Sequence, residues 1–324
     1  MGKTVCFGEL MLRLTPPASL LLRQANDLNV SFAGAEANVA VALKNLGNES
    51  AFVSKYAQNP IGEASVQRLR AFGVDTRFFL PAEGRMGLYY YEKGAGARSA
   101  RVVYDRAGSV FALSKAEDYD WEEIFADADW FHFSGITPAL GWEMPAILLT
   151  AAKAAAGMGV CVSCDVNYRA ALWSKERARK AMETLLPYVK VCAGAEDLFA
   201  EEGEPLEETD ARLRRRFGIE LFVHAKRRML SATRTQYGVV LCGREGTYAS
   251  PMYELDIVDR LGCGDAMFAG LIHAYKTGKG LAETASFAAA VGALKHSTDG
   301  DFSYAKEADV YAFLSGGNGG RVQR

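Results

Sequence analysis

Short β-branched and aromatic runs alternate with Ala-rich amphipathic stretches through most of the chain, and this alternation restricts the fold more than any other feature. Trp130 to Ser134 reads as a strand. Glu143 to Ala156 reads as a helix closed by Gly157 and Gly159. Gly159 to Asp165 is the next strand, and Ser174 to Tyr188 the next helix, with Ser174 as its N-cap. Leu221 to Ala225 and Gly238 to Cys242 read as further strands, and Asp265 to Thr277 as a further helix. Strands joined through helices pair in parallel, and a parallel sheet is covered by helices on both faces. The expected class is α/β, with a mostly parallel central sheet flanked by helices. The 324 residues allow one large domain with an elaboration, or two ordinary domains.

Two stretches break the rhythm. Residues 5–33 carry Leu10, Leu12 and Leu14 alternating with Met11 and Arg13. Residues 86–106 read as a β-hairpin: a strand through Leu88-Tyr89-Tyr90, a Gly-Ala-Gly turn, and a second strand through Val103-Tyr104. A small β-sheet formed from parts of about 8–33 and 86–106, projecting as a lid over a cleft, accounts for both breaks. No internal repeat and no Pro-, Gly- and Ser-rich linker divides the chain. Residues 1–315 are therefore expected to form a single domain with its lid, and residues 316–324 a mobile tail.

Charge and cysteine usage exclude several function classes. Thirty-seven basic against 39 acidic side chains leave a net charge of -2, which offers no footprint for nucleic acid or an anionic membrane. No window approaches the roughly 18 apolar residues of a membrane span, and the strand-like start fits no secretion signal. Cys161-Val-Ser-Cys164 has the spacing of a redox or zinc motif, but it lies in a strand whose alternate side chains face opposite ways. No second cysteine or histidine pair completes a metal site. Buried thiols and a reducing cytoplasm are expected.

The segment from Asp259 to Gly270 carries the chemistry. Gly262 and Gly264 allow a tight turn, and Met267, Phe268, Leu271, Ile272 and Tyr275 then recur at helical spacing. A glycine turn feeding a helix N-terminus presents unpaired N–H groups and a positive dipole to an anion such as phosphate. Asp265 stands at the start of this helix. From the motif alone it is either a cap or a base that accepts a proton from a substrate hydroxyl while the neighbouring amides neutralise a transferring phosphoryl group.

Gly262-Cys-Gly-Asp265 after Val258-Asp-Arg resembles the C-terminal signature of the ribokinase-like (PfkB) carbohydrate kinases. Phe32-Ala-Gly-Ala-Glu-Ala-Asn38-Val-Ala40, followed by Gly47, resembles their N-terminal signature. The resemblance covers nearly the whole chain. It implies a ribokinase-like fold, ATP with Mg²⁺, and Asp265 as catalytic base, with Gly262, Cys263 and Gly264 forming the phosphate cradle. It also implies that Gly34 and Asn38 lie at the sugar and Ala289 at the nucleotide. No G-x-x-x-x-G-K-[ST] pattern competes for the phosphates.

Asp165-Val-Asn-Tyr-Arg-Ala-Ala-Leu-Trp173 is similar to the D-x-N-x-R-x-x-L-W segment of the 2-keto-3-deoxygluconate kinases within that family. The resemblance places Asn167 near the nucleotide phosphates and Arg169 on a sugar acid, where its planar fork suits a carboxylate. By the same resemblance Tyr89, Tyr104, Arg106 and Asp301 contact the sugar acid. Gly8-Glu9 also resembles the start of those kinases, rather than the aspartate of members that grip neutral sugars. The implied activity is phosphorylation of 2-keto-3-deoxygluconate at its terminal hydroxyl. A fructokinase or other neutral-sugar kinase is the nearest alternative, and a non-catalytic sugar-binding regulator a more distant one.

Three departures from the family pattern remain. Gly194-Ala-Glu-Asp197 lacks the Asn of the usual Asn-x-x-Glu motif, leaving Glu196 and Asp197 to organise Mg²⁺ through water. The basic run from Lys226 to Arg234 either touches ADP phosphates or is solvated. Cys263 replaces a commoner small residue, either as a steric substitute or, since a thiol pKa can be lowered at a helix start, as a redox-sensitive group. An exposed lid sheet leaves pairing with a second copy open.

Overall fold

A computed structural model describes residues 2–316, so the expected tail lies, beyond Gly316, outside the described residues. In chain order the strands are β1 (Lys3–Phe7), β2 (Met11–Thr15), β3 (Asn29–Ala33), β4 (Ser50–Ala57), β5 (Phe79–Ala82), β6 (Leu88–Glu92) and β7 (Arg101–Asp105). There follow β8 (Ala128–Ser134), β9 (Cys161–Asp165), β10 (Val191–Ala193), β11 (Leu221–Met229), β12 (Arg234–Gly243), β13 (Gly246–Ala249) and β14 (Tyr253–Asp256). The large sheet runs β13-β12-β11-β10-β9-β8-β1-β4-β5, parallel from β11 to β5, with β12 antiparallel to β11 and pairing antiparallel with both β13 and β14.

The central strands are apolar because both faces are covered. Val5, Cys6 and Phe7 of β1 are all fully buried. Val5 and Phe7 join one core with Phe131, Phe133 and Met144, while Cys6 joins the other with Phe52, Phe268 and Leu271. Cys161 and Cys164 divide between these two cores in the same way, so their spacing makes no redox pair.

The α/β alternation is as expected, with instructive differences at element ends. The helix from Ser174 runs over Lys175–Leu185, with the Ser174 hydroxyl accepting from the Arg177 amide. It then tightens into a 3₁₀ turn at Leu186–Tyr188, because Pro187 has no N–H to continue the ladder. Strand β11 extends to Met229 through exposed basic residues that carry no apolar period; its pairing with β12 holds it extended. The Leu281–Lys295 helix is buried on nearly every side and so shows no amphipathic stripe.

The small sheet has the order β3-β2-β6-β7, with β2 and β6 parallel and the two outer pairs antiparallel. Its inner face packs Met11, Ala33, Tyr89 and Tyr91 together. Arg13, 1% exposed, lies among them. Its Nη2 donates to Asp259 Oδ2 at 2.5 Å, its Nη1 to Asp301 Oδ1, and its Nε to Thr15 Oγ1 at 2.9 Å. One lid strand is thereby tied to both segments that flank the glycine turn. Among the described residues no helix is long and apolar enough to cross a membrane.

Candidate active site

The carboxyl ends of β1, β8, β9 and β10 converge under the lid, the position at which open α/β sheets bind ligands. A cleft of about 470 Å³ opens there. On one wall the Cys263–Lys276 helix begins. Gly262 precedes it with φ 78°, and a Cβ at that position would stand 2.0 Å from the Asp301 carbonyl oxygen, so only glycine fits. The first-turn amides have no carbonyl within the helix to bond and carry its dipole to the cleft.

Asp265, in this first turn, lines the cleft half-buried. The Asn38 Nδ2 donates to its Oδ2 at 2.6 Å, so its carboxylate is held from the Ala35–Asn45 helix rather than used as a cap. Burial pushes its pKa up to about 7, and the neighbouring carboxylates of Asp165, Asp301 and Glu36 add to the rise against the Asn38 bond. If Asp265 must be ionised to accept a proton, activity is lost as pH falls through that value. The acid limb of kcat/KM is therefore expected near pH 7, and a limb near pH 4 would contradict this placement.

Gly34 caps the Ala35–Asn45 helix where a Cβ would lie 2.0 Å from the Glu9 carbonyl oxygen. Glu36, fully enclosed, accepts from the Ser134 amide at 3.0 Å and hydroxyl at 2.6 Å, and from Thr137 Oγ1 at 2.9 Å. These bonds fix the cleft floor. From the lid, Tyr89 donates to Asp301 Oδ1 at 3.0 Å, and the exposed Tyr104 ring lies 5.8 Å from that of Tyr89. Arg106 donates twice to Glu9 Oε2, from Nε at 2.8 Å and Nη2 at 2.5 Å. Both Arg106 and Asp301 line the cleft, yet each already has a charged partner inside the protein.

Opposite stand Asn167 and Arg169. Asn167 has φ 40°, an uncommon backbone state for a residue with a side chain, and its amide donates to Asp165 Oδ1 at 3.1 Å. Burial raises the Asp165 pKa to about 6, against the opposing charges of Arg169 and Arg227. Arg169 is exposed, lines the cleft, and makes no ion pair with Asp165.

Glu196 and the exposed Asp197 also reach the cleft. Glu196 Oε1 is 3.0 Å from His224 Nδ1, and His224 Nε2 is 2.8 Å from Asp210 Oδ2. Burial opposes charge on this imidazole, but Asp210, Cys242 and Glu196 override it and raise its pKa to about 11. Glu196 Oε2 is enclosed without a partner. Asp165 and Asp197 line the same cleft, and all three offer only oxygen donors, the kind a hard cation such as Mg²⁺ takes through water. The residues present therefore fit the metal despite Gly194.

One expected site residue needs correction, and the two readings open for Cys263 can be told apart. Ala289 is fully buried within the Leu281–Lys295 helix and packs in the core rather than in the cleft. Cys263 is 1% exposed, with its Sγ turned to the Asp259 carbonyl at 3.7 Å. Burial pushes its thiol up to about 12, which agrees with a steric substitute and not with a reactive thiol. Arg13, Glu36, Arg260 and His224 were not among the expected site residues, and Arg227 was weighed only as part of the basic run from Lys226 to Arg234. Glu36 and Arg260 carried a signal, since one stands inside the Gly-Ala-Glu-Ala-Asn run and the other inside Val258-Asp-Arg.

The family model for the pfkB family carbohydrate kinases matches residues 1–305. A 2-dehydro-3-deoxygalactonokinase of Haloferax volcanii is 33% identical over 322 residues, 98% of each chain. The crystal structure of a 2-dehydro-3-deoxygluconokinase from Thermotoga maritima superposes with a TM-score of 0.94 at 40% identity, covering 97% of this chain and 98% of that one. Fructokinase-1 of rice is 27% identical over 301 residues, 90% of each chain. With its parallel sheet, lid and glycine-turn helix in place, the chain belongs to the pfkB family of carbohydrate kinases and is a carbohydrate kinase.

Proposed function

We propose that this kinase transfers the γ-phosphoryl group of ATP to the terminal hydroxyl of 2-keto-3-deoxygluconate, giving the 6-phosphate, with Asp265 as the base. The observation that carries the substrate class is Arg169: an exposed guanidinium in the same cleft as Asp265, with no salt bridge to an acidic side chain among the described residues. A cation left unpaired at a cleft wall suits an anionic substrate. The names of the Haloferax and Thermotoga relatives support the same class.

Arg169 and Arg106 hold the carboxylate, the Gly34 turn and Tyr89 hold the sugar body, and Asp265 takes the hydroxyl proton. The Gly262–Gly264 amides receive the transferring phosphate, Asn167 lies by the nucleotide, and the lid excludes water that would otherwise accept the phosphoryl group. Mg²⁺, when bound with ATP, supplies charge neutralisation on the phosphates; Asp165, Glu196 and Asp197 would hold it through water. The outer lid face, with Val30 63% and Val103 41% exposed, is covered by a second copy in this reading, which a dimeric mass in solution would support and a monomeric mass would refute. Six free thiols fit a cytoplasmic setting.

Replacing Arg169 with alanine tests the substrate class. For the keto-deoxy acid, kcat/KM is expected to fall by about 10²-fold, because a desolvated carboxylate loses its charged partner. A residual activity on fructose, if the wild type has one, should hardly change. Equal losses on both substrates would point instead to a neutral-sugar kinase.

A further inference from the structure

The cleft wall around Asp265 is acidic before any substrate arrives. Asp165, Asp301 and Glu36 all raise the cost of negative charge there. A transferring phosphoryl group brings more, and the helix N-terminus offsets only about half an elementary charge. Three cleft-lining guanidiniums, Arg169, Arg227 and Arg260, make no ion pair with an acidic side chain among the described residues. Of these, Arg227 stands over the glycine turn: a Cβ built on Gly264 would lie 3.3 Å from its Nη2.

Arg227 is also held in place. It sits on β11 rather than on a loop, directly across from Tyr237 of β12, and its guanidinium carbon lies 5.6 Å from the centre of that ring. Tyr237 is completely buried, so the shelf under the cation does not move with solvent. The guanidinium itself remains on the exposed cleft side.

We propose that Arg227 is a further catalytic residue, whose guanidinium contacts the transferring phosphoryl group above the Gly264 amide and stabilises its charge in the transition state. This rests on the reading of ATP and Asp265 given above. In the step it assists, the substrate hydroxyl oxygen forms a bond to the γ-phosphorus while the bond to the β,γ-bridging oxygen breaks. ADP leaves with that electron pair, and the hydroxyl proton passes to Asp265. Arginines that act on phosphoryl transfer in this way work through charge and a planar fork of donors.

The test compares the wild type with Arg227→Met and Arg227→Lys. The Met variant should lose about 10²- to 10³-fold in kcat, with KM for the keto-deoxy acid changed by less than about threefold. Added guanidinium chloride should restore part of that loss, which a merely structural role would not allow, and Arg227→Lys should fall between the two. A Met variant within about threefold of wild-type kcat would overturn the inference. A second measurement does not depend on the sugar: affinity for ADP with Mg²⁺ and tetrafluoroaluminate, against ADP with Mg²⁺ alone. Arg227→Met should lose at least about tenfold more affinity for the fluoroaluminate complex than for ADP. If the wild type turns over no sugar acid yet this difference appears, the substrate reading fails and the role of Arg227 stands. If the difference is absent, the role of Arg227 falls whichever sugar is phosphorylated.

Discussion

Asp265→Asn is expected to lower kcat for the keto-deoxy acid by about 10³-fold or more, at the upper end of what a positioned base contributes. The substitution keeps the shape of the side chain, and Asn38 Nδ2, now 2.6 Å from Oδ2, can still donate to the new amide oxygen. It removes the one group in the proposal that takes the hydroxyl proton. It also removes a negative charge from a cleft already crowded by Asp165, Asp301 and Glu36, so substrate binding should be kept and KM should move by no more than about twofold. Turnover close to wild type would dismiss Asp265 as the base. A protein that no longer binds the sugar would show that its carboxylate serves the architecture instead, and calorimetric titration separates the two cases.

Arg13→Met should be the most destabilising single change in the lid. Its guanidinium is buried between Asp259 and Asp301, with a third bond to Thr15, and lies 4.7 Å from the centre of the Tyr91 ring. Breaking a buried ion network by removing the cation leaves carboxylates uncompensated, at a cost of about 3–5 kcal/mol. For a protein of this size that corresponds to a fall of roughly 5–10 °C in the melting midpoint. Replacing Asp259 and Asp301 by asparagine in the Met background should recover much of the loss, because the uncompensated charges are then gone. An unchanged midpoint for Arg13→Met alone would mean that the network contributes nothing to the folded state. Activity should fall together with stability, since Asp301 reaches the cleft and its backbone oxygen packs against Gly262.

The parts of this fold that were legible in the sequence are those governed by local rules. A strand buried on both faces reads as an apolar run, a glycine turn before a helical period reads as a helix start, and the hairpin of 86–106 announces itself through its alternation and turn. What escaped depends on residues far apart in the chain. Arg13 meets Asp259 and Asp301 only because the lid folds over the end of the large sheet. Glu196, His224 and Asp210 come from two helices and a strand, and nothing in any one segment signals their bonding. Of the two readings of Cys263 the steric one stands, because a helix start favours a thiolate only when the sulfur faces solvent, whereas this sulfur faces the core. Ala289 was carried into the nucleotide site by resemblance alone, and a small apolar residue in a helix enclosed on all sides has no way to signal which neighbour it meets.

The central claim is that a carboxylate-bearing sugar is the phosphoryl acceptor, and ADP release in the presence of ATP and Mg²⁺ tests it directly. The panel would hold 2-keto-3-deoxygluconate, its galactonate-derived epimer, fructose and ribose. Strong turnover confined to the keto-deoxy acids is the predicted result. Turnover of fructose or ribose without turnover of either acid would contradict the account, leaving a carbohydrate kinase whose exposed Arg169 serves some other end.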